Sequence, residues 1–335
     1  MIPKTNQISN GVPKTKKAIL ITGGAGFIGS NLTEKLLQKG KEVFVMDDLS
    51  TGDLKNINHL KRNKNFHFIK GTVLDRRKME RLVRKVGQIY HLAAAVGVKR
   101  VMEKPLDSFL NNLRGTEIVL DLAAKHKVPL LFTSSSEVYG KADHLPFKED
   151  SDRVYGSAYN DRWGYALSKG SDEFLALAYF REKKLPVVIV RLFNVIGPRQ
   201  TEAYGMVAPR FVQQALSGKP LTVYGDGYQT RCFADVEDVT EALIDLMNHP
   251  KAIGQIFNLG STEEITIKEL AQRVKRLTQS QSRISFVPFA KVYGPGFEDM
   301  AHRKPSLAKI TKLIGYKPKI NLGQSLLKII EYYEK

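Results

Sequence analysis

The stretch Ala18-Ile-Leu-Ile-Thr22-Gly23-Gly-Ala-Gly26-Phe27-Ile28-Gly29 decides the fold. Four apolar residues read as a buried strand, three glycines at intervals of three read as a tight turn, and the amphipathic run Ile28 to Lys39 reads as a helix. A glycine turn between strand and helix lets a backbone approach a pyrophosphate, while the helix start offers free N–H groups and partial positive charge. Gly23, Gly26 and Gly29, with Phe27 and Ile28 between them, are therefore candidate cofactor contacts. Their spacing departs from G-x-G-x-x-G, so the turn needs support from elsewhere.

Support comes from Val43-Phe-Val-Met-Asp47, a second strand ending in an acid at the distance expected of a ribose ligand. A carboxylate there accepts from the adenosine ribose hydroxyls and repels a 2′-phosphate, which selects NAD over NADP. Asp48 beside it leaves the exact ribose partner open between the two.

Further runs at Phe66 to Lys70, Gln88 to His91, Leu130 to Ser134 and Val187 to Leu192 alternate with helical stretches at Pro105 to Lys125 and Tyr165 to Lys183. That alternation predicts an α/β fold, a Rossmann-type doubly wound parallel sheet. Beyond Gly197 turns become frequent. The expected organisation is a basic tail over 1–17, an NAD-binding domain over 18–195, and a smaller, mainly substrate-binding lobe over 196–335. Residues 255–259 are expected to return to the sheet as a further strand.

Composition narrows the class. The chain has 335 residues, 42% hydrophobic and 26% charged, as ordinary folded proteins do. One cysteine, Cys232, excludes an internal disulfide framework, offers no zinc spacing, and points to the reducing cytoplasm. No run is long and apolar enough to span a bilayer. The formal net charge of +18 fits a polyanionic small substrate; the cations are spread along the chain with no nucleic-acid module, so neither nucleic acid nor membrane insertion is expected.

Tyr165-Ala-Leu-Ser-Lys169 sets a phenol and an ammonium on one helical face. A nearby ammonium favours phenolate, so the pair could take a proton from a sugar hydroxyl while hydride leaves for nicotinamide. The polar cluster Ser134-Ser135-Ser136-Glu137 follows a strand, where open α/β sheets bind ligands.

Taken together, Gly23-x-x-Gly26-x-x-Gly29, His91-Leu-Ala-Ala94, Ser134-Ser-Ser-Glu-Val-Tyr-Gly140, Tyr165-x-x-x-Lys169 and Arg191-Leu-Phe-Asn194 resemble the extended short-chain dehydrogenase/reductases acting on nucleotide sugars. The resemblance implies Tyr165 as base, Lys169 as the group that tunes it and holds the nicotinamide ribose, and Ser135 as a bridging hydroxyl. It implies Leu92 and Ala93 along the cofactor, and Asn194, Tyr224 and Arg231 around a UDP-sugar, Arg231 on its diphosphate. No metal is implied.

Within that family the reaction turns on Ser136 and Glu137. Dehydratases carry an Asp-Glu pair there, and a serine is too weak an acid to expel a hydroxyl. The 4-epimerases usually carry a small, non-acidic residue in place of Glu137. Ser136-Glu137, Arg162-Trp163-x-Tyr165 and the run Tyr293 to Ser306 resemble the uronate decarboxylases, which oxidise sugar carbon 4 so that the β-keto acid loses carbon dioxide. Arg303 is then expected near the substrate carboxylate or the enolate, positioning or protonating the decarboxylating intermediate, with Glu137 taking part in proton handling around the 4-keto sugar. The loop Ala95 to Val101 departs from those enzymes and resembles epimerase loops, so a UDP-sugar 4-epimerase is the alternative. An NAD-binding sensor without turnover is another, opposed by the intact Tyr165, Lys169 and Ser135. The resemblance also implies a homodimer through a four-helix bundle, with Phe174, Leu175 and Ala178 in or beside the seam.

Overall fold

The computed structural model describes residues 18–294 and 297–334; the basic stretch 1–17 lies outside them. Six strands alternate with helices along the first half: β1 (Ile19–Thr22), α1 (Phe27–Gln38), β2 (Val43–Asp47), β3 (Phe66–Lys70), α2 (Arg76–Val83), β4 (Gln88–His91), α3 (Val98–Glu103), α4 (Pro105–His126), β5 (Leu130–Ser135), α5 (Arg162–Lys183) and β6 (Val187–Leu192). They pair in parallel in the order 3-2-1-4-5-6. The strand Gln255–Leu259 adds a seventh, parallel to β6.

This order places the crossover point between β1 and β4, and the carboxyl ends of those strands open into a crevice. Both sheet faces are covered, so the strands read as nearly continuous apolar runs; Leu20, Ile21, Val43, Val45 and Ile89 have no exposed surface. Each such side chain contributes about 1.5–3 kcal/mol on burial.

Helix Val236–Asn248 belongs to the chain's second half, yet Val236, Val239 and Leu243 join the core formed by β1, β2 and α1. Ion pairs from Lys35 and Lys39 to Glu241 tie it to α1. A separate core, with Phe211, Leu270 and Leu326, unites helices Val207–Leu216, Ile267–Leu277 and Leu322–Glu334. Among the described residues, no helix is long and apolar enough to cross a membrane.

Candidate active site

Gly23 follows β1 with a positive φ of 73°, and a Cβ on it would meet the backbone of Ala93 at 2.7 Å. Only glycine lets β1 and the segment after β4 approach so closely. Gly29 sits against the Gly23 carbonyl, seating α1 on the turn. At the end of β2, Asp47 accepts from the backbone N–H groups of Ala25 (2.9 Å) and Leu49 (2.8 Å), which fixes the carboxylate beside the turn. Burial raises its pKa, and these bonds oppose the rise. Asp48 is exposed and bonded to its own loop through Ser50. Of the two acids, Asp47 is the one held inward.

The cradle has the shape that NAD requires: glycines where a side chain would block the backbone, a buried carboxylate for a ribose, and one cavity of about 800 Å³ running on toward the Tyr-Lys pair. Every residue singled out from the sequence as a cofactor, catalytic or substrate contact lines that same cavity.

Tyr165 and Lys169 lie one turn apart on α5. Lys169 is buried, donates to the Thr133 carbonyl at 3.0 Å, and stands 4.5 Å from the centre of the Phe132 ring. Burial lowers its pKa, with Asp172 and Glu173 opposing. The expected depression of the tyrosine is not found in the protein alone. Burial pushes the Tyr165 phenol up, Glu137 adds to the rise, and the hydrogen bond with Ser135 only partly offsets it. The ammonium is engaged with Thr133 while desolvation acts on the whole phenol, so desolvation prevails.

After β5 the chain turns through Ser136–Tyr139, capped by Ser135, whose hydroxyl accepts from the Glu137 N–H at 3.2 Å. Tyr139 donates to Asn258 at 2.6 Å and accepts from Arg191 at 2.8 Å, binding this turn to β6 and the seventh strand. Arg191 in turn grips the buried Glu173. These members of the sequence motifs build the platform and leave Ser135, Ser136 and Glu137 facing the cavity.

Glu137 receives two guanidiniums, Arg303 on one carboxylate oxygen and Arg162 on the other. Arg303 arrives from a distant loop because residues 304–306 pair with Phe147 through bonds of 2.8 and 2.7 Å. Burial would raise the pKa of Glu137, but the combined pull of Arg162 and Arg303 holds it down to about 2. Arg231 donates to Asp299 (2.8 Å) and to the Met300 carbonyl (2.9 Å). Burial brings its pKa down to about 10. Asn194 donates to the Cys232 carbonyl at 3.4 Å, beside Arg231.

At the far end, Tyr224 carries the guanidinium of Arg210 3.9 Å above its ring and abuts Tyr293, which stacks on Phe297 at 4.3 Å. Arg210 carried no motif and was not anticipated. Asp299 lies within the Tyr293 to Ser306 run, where its acid among basic and aromatic residues was the available signal.

The cradle and the Tyr-Lys pair open on one cavity and define a Rossmann-type NAD-dependent enzyme. The sequence profile of the NAD dependent epimerase/dehydratase family matches residues 19–260, and the chain belongs to that family. It is 44% identical to UDP-N-acetyl-alpha-D-glucosaminuronate decarboxylase of Bacillus cytotoxicus, over 96% of this chain and 98% of that one. It is 39% identical to UDP-glucuronic acid decarboxylase 1 of Danio rerio, over 96% of this chain and 74% of the relative. Among solved structures, UDP-glucuronic acid 4-epimerase of Bacillus cereus, in complex with UDP-glucuronic acid and NAD, superposes with a TM-score of 0.85. The two are 29% identical, with 95% of this chain and 99% of the other covered.

Proposed function

We propose that this enzyme decarboxylates a UDP-linked hexuronate, glucuronate or its 2-acetamido counterpart, after oxidising sugar carbon 4. One observation carries the reading: Ser136 and Glu137 follow the Tyr165-linked Ser135, and Glu137 is bound by Arg303, which lines the same cavity. The full-length likeness to two uronate decarboxylases supports it.

When bound, NAD would supply the hydride acceptor and a positive charge that favours the phenolate. Gly23, Gly26, Phe27, Ile28 and Gly29 would hold its pyrophosphate side, Asp47 a ribose, Leu92 and Ala93 the middle, and Lys169 the second ribose. Tyr165 takes the proton of the C4 hydroxyl, with Ser135 aligning the two oxygens. The ketone so formed makes the uronate a β-keto acid, whose carboxylate leaves as carbon dioxide without expelling a hydroxyl. Arg303 neutralises the carboxylate and then the enolate, a use suited to a planar donor pair. Arg231 and Asn194 hold the diphosphate, and Tyr224 the base.

Residues 18–195 then serve mainly the cofactor and 196–335 mainly the sugar nucleotide. The single cysteine and the cofactor suit a cytoplasmic enzyme. Two copies are expected to pair through α4 and α5, whose outer faces expose Leu106 and Phe174. Incubation with UDP-glucuronate, its 2-acetamido counterpart and UDP-glucose tests the reading: only the two uronates should yield carbon dioxide. Interconversion of C4 epimers without gas would favour the 4-epimerase alternative, which the segment Ala95 to Val101, leading into α3, and the likeness to the Bacillus cereus epimerase support.

A further inference from the structure

Arg162 has no task in the scheme above. It opens α5 three residues ahead of Tyr165 and is only 2% exposed. One end of its guanidinium pairs with Glu137, and Nη2 stands 3.9 Å from Asp299, whose other oxygen accepts from Arg231. A guanidinium this deep is tolerated only against anions, so its place specifies the state of its partner. Among the described residues, the charged and titratable groups facing Glu137 are Arg162 and Tyr165 on α5, Arg303 on the loop that ends at Ser306, and Arg231 on the strand Thr230–Cys232. Three are cations, and the fourth is a phenol that burial keeps protonated in the protein alone.

We propose that Arg162 is a positioning residue for the decarboxylation. With Arg303 it clamps Glu137 as a permanent carboxylate, so that Glu137 acts as a hydrogen-bond acceptor and never as the acid that protonates the sugar. The inference rests on the decarboxylase reading. In that reaction the bond from C5 to the carboxylate carbon breaks, its electron pair moves into the enolate of the C4 ketone, and carbon dioxide leaves. C5 then takes one proton. The substrate carboxylate enters ionised and brings no proton, so C5 draws one from water, and the hydroxide left behind is neutralised by the proton that Tyr165 took from the C4 hydroxyl and releases to solvent. An ionised carboxylate offers acceptor atoms alone and cannot supply it. The low pKa of Glu137 agrees with this assignment.

Two variants, R162Q and R162M, remove the cation while leaving Glu137 with Arg303 and Asp299 with Arg231; having both keeps the test open if one fails to fold. R162K returns a cation. Carbon dioxide release from UDP-glucuronate is followed against pH, and the protonated carboxyl band of Glu137 is followed by infrared titration, identified by its absence in E137Q. Wild type and R162K should show no such band and no acid limb from Glu137 down to mildly acidic pH. R162Q and R162M should show the band, with turnover falling about tenfold for each pH unit below the new pKa. Profiles and spectra identical to wild type in R162Q or R162M would overturn the inference, as would a protonated band in wild type at neutral pH. Absence of carbon dioxide from wild type would instead refute the decarboxylase reading, and the infrared arm, read without turnover, would still judge the clamp.

Discussion

Glu137 and Arg303 are 166 positions apart in the chain and form a buried ion pair beside Tyr165. Two separate features bring the pair together, the turn after β5 and the backbone pairing of residues 304–306 with Phe147. Arg303→Ala leaves Glu137 bound to Arg162, so the site should persist while the donors for the leaving carboxylate are lost. Carbon dioxide release should fall about a hundredfold or more, the scale of a lost oxyanion donor. UDP affinity, read by calorimetry, should change by less than about tenfold, the pattern of an interaction made in the transition state.

Tyr165→Phe removes one oxygen and little volume. Sugar oxidation should drop by at least about a hundredfold, as deletion of a general base does, with NAD affinity nearly unchanged. Quenching of the protein's tryptophan fluorescence by NAD and a turnover assay on the same preparation check both halves. Near-normal turnover would remove Tyr165 from the mechanism.

The Glu137 pKa makes a pH prediction for stability. Its folded value, about 2, lies below the ordinary 4.5, so the stabilisation from its ionised form is complete above about 4.5 and is lost as pH falls toward 2. The difference in unfolding midpoint between wild type and Glu137→Gln should therefore shrink over that interval and stay constant above it. Thermal unfolding at a series of pH values measures this directly.

The part of the fold that places the cofactor was legible because each element has its own local signal. β1 and its glycine turn, the acid ending β2, and the helix carrying Tyr165 are contiguous in sequence and fixed by backbone geometry. β5 runs one residue beyond the expected Ser134, and α5 begins at Arg162 instead of Tyr165. The second half was harder to read. Helix Val207–Leu216 has the apolar spacing of Ala208, Phe211, Val212 and Ala215, but it lies between turns that obscure its ends. The pKa of Tyr165 was not legible either, since the spacing of Lys169 reveals nothing of the desolvation around the phenol. Arg210 and the engagement of Arg231 with Asp299 depend on contacts across the cavity that no local motif encodes.

Phe174 on α5 is 66% exposed, and the Arg153 guanidinium stacks on its ring at 5.1 Å. Large exposed apolar residues on neighbouring helices suit a shared seam between two copies. Sedimentation at micromolar concentration should give a dimer. Phe174→Asp should shift the population toward monomer, and a wild-type monomer would contradict the assembly.

Carbon dioxide is the most direct witness to the reaction. The protein is incubated with NAD and UDP-glucuronate labelled with carbon-13 at the carboxylate, in parallel with the 2-acetamido analogue, and both the headspace and the nucleotide sugars are followed by mass spectrometry. The predicted result is labelled carbon dioxide, matched by a UDP-pentose or UDP-4-keto-pentose lighter by one carboxyl group. Unlabelled headspace, with UDP-glucuronate and UDP-galacturonate of unchanged mass in mixture, would contradict it and establish 4-epimerisation instead.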